Sequence, residues 1–480
     1  MLQDWIYKGK FEDPYNEFMI SMQTFHVDRL DSRRWNKDFV LDLEKVPRFF
    51  TVDSEKILKT GKYLNVIKEC NRKVQFLDPK TISYSTSYFA YRSYIEEAYN
   101  YASKTLLNVL LKEKHLLLHF RTLKGYFLHG SSFFLSDFLD LAEDELSLAV
   151  SEILISKLEL FLERALQTER TDLFKQQIKC AFAPVELFTE LFNILKIDET
   201  SIIKTFQPAE KLASTGNNLF SLAYTLPWPM PLVISNRVLT KYTFLFRYLF
   251  FLMVIERRLC CLWKDFIRSS KANDSRVYAA TLRIMLGFIK NLRSFYLLYC
   301  IESNWSGFEN KILAVKTLDE VLITHNDFLD TCLKQCMLTN KELFQKLYSL
   351  LKLIEDFCAF SFLDFISIQE SARIFSEKLK EYVISVASLA LGTIVVGAVI
   401  SPVVQYDGTV SCLKFILSSP KPYQAHSKLM RRDLLGFNEA YEFLSNITLV
   451  TVIHHDRKED SDMQNLQNKR DNSSPAATNV

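Results

Sequence analysis

Residues 226–263 read LPWPMPLVISNRVLTKYTFLFRYLFFLMVIERRLCCLW. The three prolines fix φ and disfavour helix at the residue before each, so no helix can begin before about Leu232. Ser235 and Asn236 then supply the side-chain oxygens typical of a helix N-cap. Beyond them the apolar residues recur at steps of three and four, which predicts one broad buried face. The stretch therefore predicts a long amphipathic helix that forms the spine of an all-helical protein.

The composition of the whole chain points in the same direction. Its 480 residues include only 11 glycines and 12 prolines, against typical shares of roughly 7% and 5%. Few residues are therefore present to make the turns of β-hairpins. No proline occurs between Pro79 and Pro184 or between Pro231 and Pro402, so both intervals can hold long helices. We expect an all-α protein, and the length indicates about two or three domains.

The charge and the cysteines restrict the kinds of partner and the compartment. The 59 basic and 56 acidic residues give a net charge of +3, without the concentrated basic face that nucleic-acid binding requires. We therefore expect protein partners and no nucleic acid. The nine cysteines are odd in number and scattered, and the first twenty residues carry several charges where a signal peptide would be apolar. Both features are typical of a reduced cytosolic protein.

Local signatures of catalysis and metal binding give no support for an enzyme. The sequence contains no phosphate-binding G-x-x-x-x-G-K-[ST] loop, no dinucleotide-type glycine cluster and no G-x-S-x-G elbow. His115 and His119 are expected four apart on one helix, where a packing role is favoured over metal binding because no third ligand is evident. Cys332 and Cys336 are expected to pack as small hydrophobic side chains. No metal or cofactor is expected.

Several blocks of sequence resemble the gamma-tubulin complex proteins, the family built from grip domains, and they occur in the family's order. The blocks are residues 5–9, 13–19, 57–70, 123–128, 137–146, 226–263 and 325–339. Together they cover roughly residues 4–355.

This resemblance implies elongated helical bundles in two consecutive grip-type domains. We expect residues 1–116 to be the C-terminal part of the N-terminal grip domain, so that the family's first part is missing from this chain. Residues 117–372 would be an incomplete C-terminal grip domain, and residues 373–480 a divergent tail. Within this frame the sequence predicts helices over 41–60 and 95–118 and a loop over 197–226.

The resemblance also implies a function. The family's members are non-catalytic scaffolds that stand side by side and hold gamma-tubulin for microtubule nucleation. The implied partners are gamma-tubulin, other components of the complex, especially component 3, and microtubule minus ends. The implied location is the cytoplasm and cytoskeleton, at a microtubule organising centre such as the centrosome or spindle pole.

The long helix carries the residues that we predict to contact gamma-tubulin, because arginines beside aromatic rings are enriched in protein interfaces. These residues are Arg237, Lys241, Phe244, Arg247, Phe251 and Arg257. We expect the arginines to be exposed, so that reversing the charge of Arg247 and Arg257 would cost little stability. Lateral contact with a neighbouring component is predicted at Trp5, Tyr7, Tyr15 and Tyr63.

The tail leaves a second interpretation open. Residues 383–405 contain no charged side chain and, as a helix of roughly 34 Å, could cross a bilayer. The alternative function is thus a helical adaptor anchored to a membrane at 383–405. A β-prone, poorly packed tail is favoured, because this segment is rich in Ser, Thr, Gly and Val, and a membrane is not expected as a partner.

Overall fold

The computed structural model describes residues 1–23, 38–70, 88–130, 132–167, 173–196, 215–268, 276–359 and 365–388. Most of these residues are helical, and the predicted all-α class is confirmed.

In the described residues of the N-terminal part, three α-helices accompany a small antiparallel pair of strands. In chain order they are α1 (Leu2–Lys8), β1 (Ile20–Met22), β2 (Phe39–Leu41), α2 (Ser54–Glu69) and α3 (Tyr88–Asn108), the last extended by a π-helical turn, Val109–Glu113.

A larger helical assembly follows. Its first elements are α4 (Leu116–Phe127), α5 (Ser132–Leu146), α6 (Ile155–Leu166), β3 (Ile178–Phe182), α7 (Leu187–Leu195), α8 (Gly216–Leu219) and β4 (Phe220–Tyr224). Then come α9 (Asn236–Arg268), α10 (Arg276–Phe295) with a π-helical extension Tyr296–Glu302, α11 (Ser303–Ala314), α12 (Leu318–Gln335), α13 (Lys341–Ala359) and α14 (Phe365–Ser388).

The predicted helix over 41–60 is wrong in its first half. Residues 39–41 form β2, which pairs antiparallel with β1, and the helix begins only at Ser54. The physical reason is Pro47, which lacks an amide hydrogen and adopts an extended conformation with ψ 139°. The chain between the two elements makes a short 3-10 turn at Arg48–Phe50 instead of a continuous helix.

The predicted helix over 95–118 is two helices. His115 has a left-handed backbone with φ 53°, and α4 starts directly after it. His115 and His119 therefore do not lie on one helix, which corrects the predicted arrangement of these two side chains.

The predicted loop over 197–226 contains a strand. Residues 220–224 form β4, which pairs antiparallel with β3 so that Cys180 lies opposite Leu222. Residues 197–214 of this prediction lie outside the described part of the chain. The strand is buried on α9, and a long-range pairing of this kind leaves little local signal in the sequence.

The long helix α9 lies at the centre of the main core. Its 33 residues span roughly 50 Å, and Tyr242, Leu245, Phe246 and Leu249 are completely buried. It packs against α4 and α7, which precede it in the chain, and against α10, α12 and α13, which follow it. The prediction of a helical spine is confirmed, and burial of this face supplies the main hydrophobic stabilisation of the surrounding helices.

A second, smaller core lies under the N-terminal hairpin. Its members are Trp5, Ile6, Tyr7, Met19, Ile20, Phe50, Ile57, Tyr91, Ile95 and Ala98. The indole of Trp5 donates a hydrogen bond of 2.8 Å to the carbonyl oxygen of Ile57, so α1 is fixed against α2 by both packing and a polar contact.

Candidate functional site

The first turns of α9 present the most accessible of the predicted contact residues. A 3-10 turn at Met230–Leu232 precedes the helix, and the amide of Leu239 donates to the carbonyl oxygen of Ser235. Arg237 is exposed in this first turn. One turn later, Lys241 forms an ion pair of 2.6 Å with Asp330 and donates to Asn326 of α12 at 3.2 Å.

The helical angle separates the predicted residues into two groups. At about 100° per residue, five of the six positions, from 237 to 251, fall within an arc of about 120°. Arg257 lies about 160° away from Arg237 around the helix axis. A single flat partner surface on α9 therefore cannot contact all six side chains.

Arg247 is buried, which corrects the expectation that it is exposed. Its side chain is only 3% accessible, and it pairs with Glu190 of α7 at 3.0 Å. It also donates at 2.6 Å to the carbonyl oxygen of Val185. Burial lowers the pKa of the Arg247 guanidinium from its usual value, although Glu190 opposes the effect. In this conformation Arg247 joins α7 to α9 and is not a surface contact.

Phe244 and Phe251 are half-buried on the same side of α9. The ring of Phe251 meets the ring of Phe188 of α7 edge to face, with centroids 4.8 Å apart. Phe188 also contacts Tyr348 of α13 at 4.9 Å between centroids. These aromatic contacts tie α7 to the long helix, and they leave only part of each phenylalanine accessible.

Arg257 joins α9 to α5 on the opposite side. Its guanidinium contacts Asp140 at 2.6 Å and Glu143 at 2.9 Å. Burial alone would lower the pKa of Arg257, but its hydrogen bonds to these two carboxylates outweigh that effect and raise it. Asp140 and Glu143 of α5 thus have a partner within this chain, and the Arg257 side chain is only partly accessible, at 25%.

An open cleft of about 380 Å³ lies between the β3–β4 hairpin and the first half of α9. Small residues of the hairpin and aromatic rings line it, including Ala181, Ser221, Ala223, Phe127, Tyr224 and Phe244. Glu190 and Arg247 also line the cleft, so their ion pair forms part of its wall. The sequence did not indicate this cleft, because its walls come from segments far apart in the chain.

The predicted lateral-contact residues are mostly in the core. Trp5 and Tyr7 are buried in the N-terminal core, and Tyr63 is buried against the larger one. Their burial shows that all three pack in the core of this chain, as large aromatic side chains in amphipathic helices often do, and lateral contact through them stays a prediction. Tyr15, in contrast, is 82% exposed and remains accessible to a neighbour.

Of the side chains weighed as metal ligands, His119, Cys332 and Cys336 pack in the core, whereas His115 is exposed. His119 is buried, lies 2.6 Å from the hydroxyl of Tyr224 and stacks on Phe174. Cys332 and Cys336 are completely buried, and burial raises the pKa of the Cys332 thiol to about 12. Within the described ranges, no group of three or more His, Cys, Asp or Glu side chains could hold a metal ion.

Two acidic residues that hold helices together were not predicted from the sequence. Glu190 holds Arg247, and Asp319 of α12 receives hydrogen bonds from α2 and α3. The pattern Thr317-x-x-Glu320 is a capping box and could have located the start of α12. It carries no information about partners 256 residues away along the chain.

Two family models match the chain in consecutive segments. The model described as gamma tubulin complex component N-terminal matches residues 1–113, and the one described as gamma tubulin complex component C-terminal matches residues 116–469. The chain therefore belongs to the gamma-tubulin complex component family. The C-terminal match extends beyond residue 372, into the residues that were expected to form a divergent tail.

Individual relatives agree with this assignment. The chain is similar to gamma-tubulin complex component 2 of Mus musculus, with 38% identity over 73% of this chain and 40% of the mouse protein. It is 28% identical to the spindle pole body component alp4 of Schizosaccharomyces pombe over 75% of this chain and 54% of alp4. A component 3 homolog of Xenopus laevis is 25% identical over 71% of this chain and 37% of that protein. The identity to this component 2 is thus higher than the identity to this component 3 homolog.

The chain spans about 40% of the length of the mouse relative.

The membrane alternative is not favoured by these findings. Residues 389–405 of the predicted anchor lie outside the described part of the chain, and residues 383–388 are the end of α14. By length and hydropathy, Asn236–Arg268 and Val277–Ala314 could also cross a bilayer. In α9, however, 67% of the most apolar window is buried within the protein, as in the core helix of a globular bundle.

Proposed function

We propose that this chain is a non-catalytic scaffold subunit of a gamma-tubulin complex, which binds gamma-tubulin through the region from α4 onward. The observation that carries the proposal is the pair of family matches, N-terminal at 1–113 and C-terminal at 116–469, in consecutive order. The proposed mechanism is geometric: the scaffold holds gamma-tubulin in a fixed position, so that tubulin subunits add to a preformed template.

The proposed partners and location follow from the same assignment. They are gamma-tubulin, other components of the complex, especially component 3, and microtubule minus ends. The organising centre is proposed as the location because alp4, one of the relatives, is named as a spindle pole body component. Tyr15 is proposed as a lateral contact, since it is the predicted lateral residue that is largely exposed.

Within the C-terminal region, the proposed gamma-tubulin surface is the start of α9. Arg237 is exposed there, and Lys241 and Phe244 are partly accessible on the same arc of the helix. Arg247 and Phe251 support this surface from beneath through α7. A cation beside an aromatic ring on a rigid, well-packed helix loses little side-chain entropy on binding.

Co-precipitation of purified gamma-tubulin with the full chain tests the proposal. The double variant Arg237→Glu, Lys241→Glu should lower the apparent affinity at least tenfold, because it reverses two charges on the proposed surface. Lys264→Glu is the matched control: it reverses an exposed lysine on the same helix, about 180° away from Arg237. It should stay within twofold of the unmodified chain.

The outcomes separate two claims. No capture by the unmodified chain would refute gamma-tubulin binding itself. Unchanged capture by a double variant with full helical circular dichroism would refute the start of α9 as the surface, and leave the scaffold proposal in place.

A further inference from the structure

Asp319, in the first turn of α12, receives hydrogen bonds from both helices of the N-terminal region that face it. The hydroxyl of Tyr63 in α2 donates to its Oδ1 at 2.9 Å, and the hydroxyl of Tyr99 in α3 donates to its Oδ2. Lys59 of α2 adds an ion pair of 3.4 Å with Oδ2. Both oxygens of one carboxylate are thus held by residues that precede it by more than 200 positions.

The backbone at the same end of α12 is attached to α3 as well. The amide of Leu318 donates at 2.9 Å to the hydroxyl oxygen of Ser103, which is completely buried. This amide is one of the first N–H groups of α12, which no carbonyl within the helix can satisfy. Thr317 and Glu320 satisfy neighbouring amides through their capping box. The end of α12 is therefore seated on α3 by specific polar contacts as well as by packing.

The hydroxyls of Tyr63 and Tyr99 are in the protonated form that these hydrogen bonds require. Burial, together with the nearby Asp319 carboxylate, raises the pKa of Tyr63 and of Tyr99 well above the ordinary value. Both hydroxyls therefore remain protonated at neutral pH and can donate to the carboxylate. The carboxylate also lies at a helix N-terminus, where the backbone dipoles favour negative charge.

From this junction α12 leads directly to the proposed gamma-tubulin surface. His325 of α12 shares a hydrogen bond of 3.0 Å with Tyr242 of α9, and Asp330 pairs with Lys241. Asp319 and Asp330 are 11 positions apart, which is roughly 16 Å along a helix. A rotation of α12 at its first turn would therefore move the start of α9 relative to α2 and α3.

We propose that Asp319 is a positioning residue, whose carboxylate fixes the angle between the N-terminal helices and the helices that follow α4, and so sets the direction of the α9 surface. The functional consequence of this inference rests on the proposed function: in a template, the spacing between neighbouring gamma-tubulins would depend on that angle. The contacts themselves are independent of any partner.

The distance between the two regions is the quantity to measure. Nitroxide labels on genetically encoded keto amino acids can replace Ser93 of α3 and Ser156 of α6, which are both exposed. Pulsed electron spin resonance on the full chain then gives the distance distribution. Asp319→Asn removes the charge while keeping the size, and Tyr63→Phe with Tyr99→Phe removes the donors from the other side.

Both variants should at least double the width of the distance distribution, with helical circular dichroism unchanged. Asp327→Asn, an exposed aspartate on the same helix, is the matched control and should leave the distribution as it is. An unchanged distribution in both test variants would overturn the inference. So would a general loss of helix in both, because Asp319 would then be a purely structural residue.

Gamma-tubulin capture by Asp319→Asn separates this inference from the proposed function. Capture within twofold of the unmodified chain, together with a broadened distribution, is the expected result, since the α9 surface itself is intact. If the unmodified chain captures no gamma-tubulin, the proposed function fails, while the distance measurement still decides whether Asp319 positions the two regions.

Discussion

The hydroxyl of Tyr242 in α9 and Nε2 of His325 in α12 lie 3.0 Å apart, and both side chains are completely buried. This contact joins the spine helix to the helix that begins on the N-terminal region. Within the described part of the chain, the other ring nitrogen of His325, Nδ1, has no hydrogen-bond partner. A buried polar group that loses its one partner carries the full cost of desolvation.

Tyr242→Phe should therefore be more destabilising than the loss of an exposed hydroxyl. We expect a decrease of about 1–3 kcal/mol in the free energy of unfolding, because Nε2 of His325 would be left buried without a partner. Urea denaturation followed by circular dichroism measures it. Tyr15→Phe, at an exposed position, is the control and should change stability by less than about 0.5 kcal/mol. Equal effects of the two substitutions would contradict the importance of this contact.

Three buried histidines should make the fold sensitive to acid. Burial lowers the pKa of His119 to about 4 and those of His129 and His325 to about 3, and the neighbouring Arg293 and Lys241 add to the effect for His129 and His325 respectively. In the unfolded chain a histidine titrates near 6.5. Below pH 6.5 these histidines bind protons in the unfolded chain but stay neutral in the folded one. The free energy of unfolding is therefore at its full value above pH 6.5 and decreases as the pH falls toward 3.

Between pH 7.5 and 5.5, each of these histidines should lower the free energy of unfolding by about 1.4 kcal/mol. Urea denaturation at the two pH values checks this. His325→Leu should reduce the loss by about one third, whatever its effect on stability at pH 7.5. A loss of the same size in the variant would show that other groups dominate the acid sensitivity.

The substitutions of the two arginines should differ because their surroundings differ. Arg247→Ala removes a buried guanidinium and leaves Glu190 and the carbonyl oxygen of Val185 without it, so we expect a loss of about 2–3 kcal/mol. Arg257→Ala breaks a pair with largely exposed carboxylates and should cost less than about 1 kcal/mol. Chemical denaturation of both variants gives the comparison. Similar losses would mean that the Arg247 pair is not the main attachment of α7.

The contrast between these arginines shows which features of α9 could be predicted from the sequence and which could not. The start of α9 followed from proline chemistry, which excluded a helix before about Leu232, and the strong apolar period predicted its length; the helix is Asn236–Arg268. The burial of Arg247 could not be read from the same period, since its partner Glu190 lies 57 residues earlier. Tyr7 and Tyr63 likewise fit a surface or a core equally well until their neighbours are known.

The contact between α1 and α2 gives a prediction with a control built into the chain. A Cβ atom added to Gly61 of α2 would lie 2.0 Å from Cε2 of Trp5, which real Cβ atoms do not approach. Trp5 is completely buried and held to Ile57 by its indole, so it cannot move aside without breaking that hydrogen bond. Gly61→Ala should therefore destabilise the N-terminal region by about 2 kcal/mol or more, as overpacking does.

Gly125 of α4 is the matched position, because a Cβ atom there would meet nothing within 4 Å. Gly125→Ala should stabilise the chain by about 0.5–1 kcal/mol, since alanine loses less backbone entropy in a helix than glycine does. Chemical denaturation measures both, and amide hydrogen exchange in residues 2–8 reports on the docking of α1. Faster exchange there in Gly61→Ala, with no change in Gly125→Ala, is the expected result. Slow exchange in both would mean that Trp5 can repack, and that the close approach of α1 to α2 does not depend on a glycine at position 61.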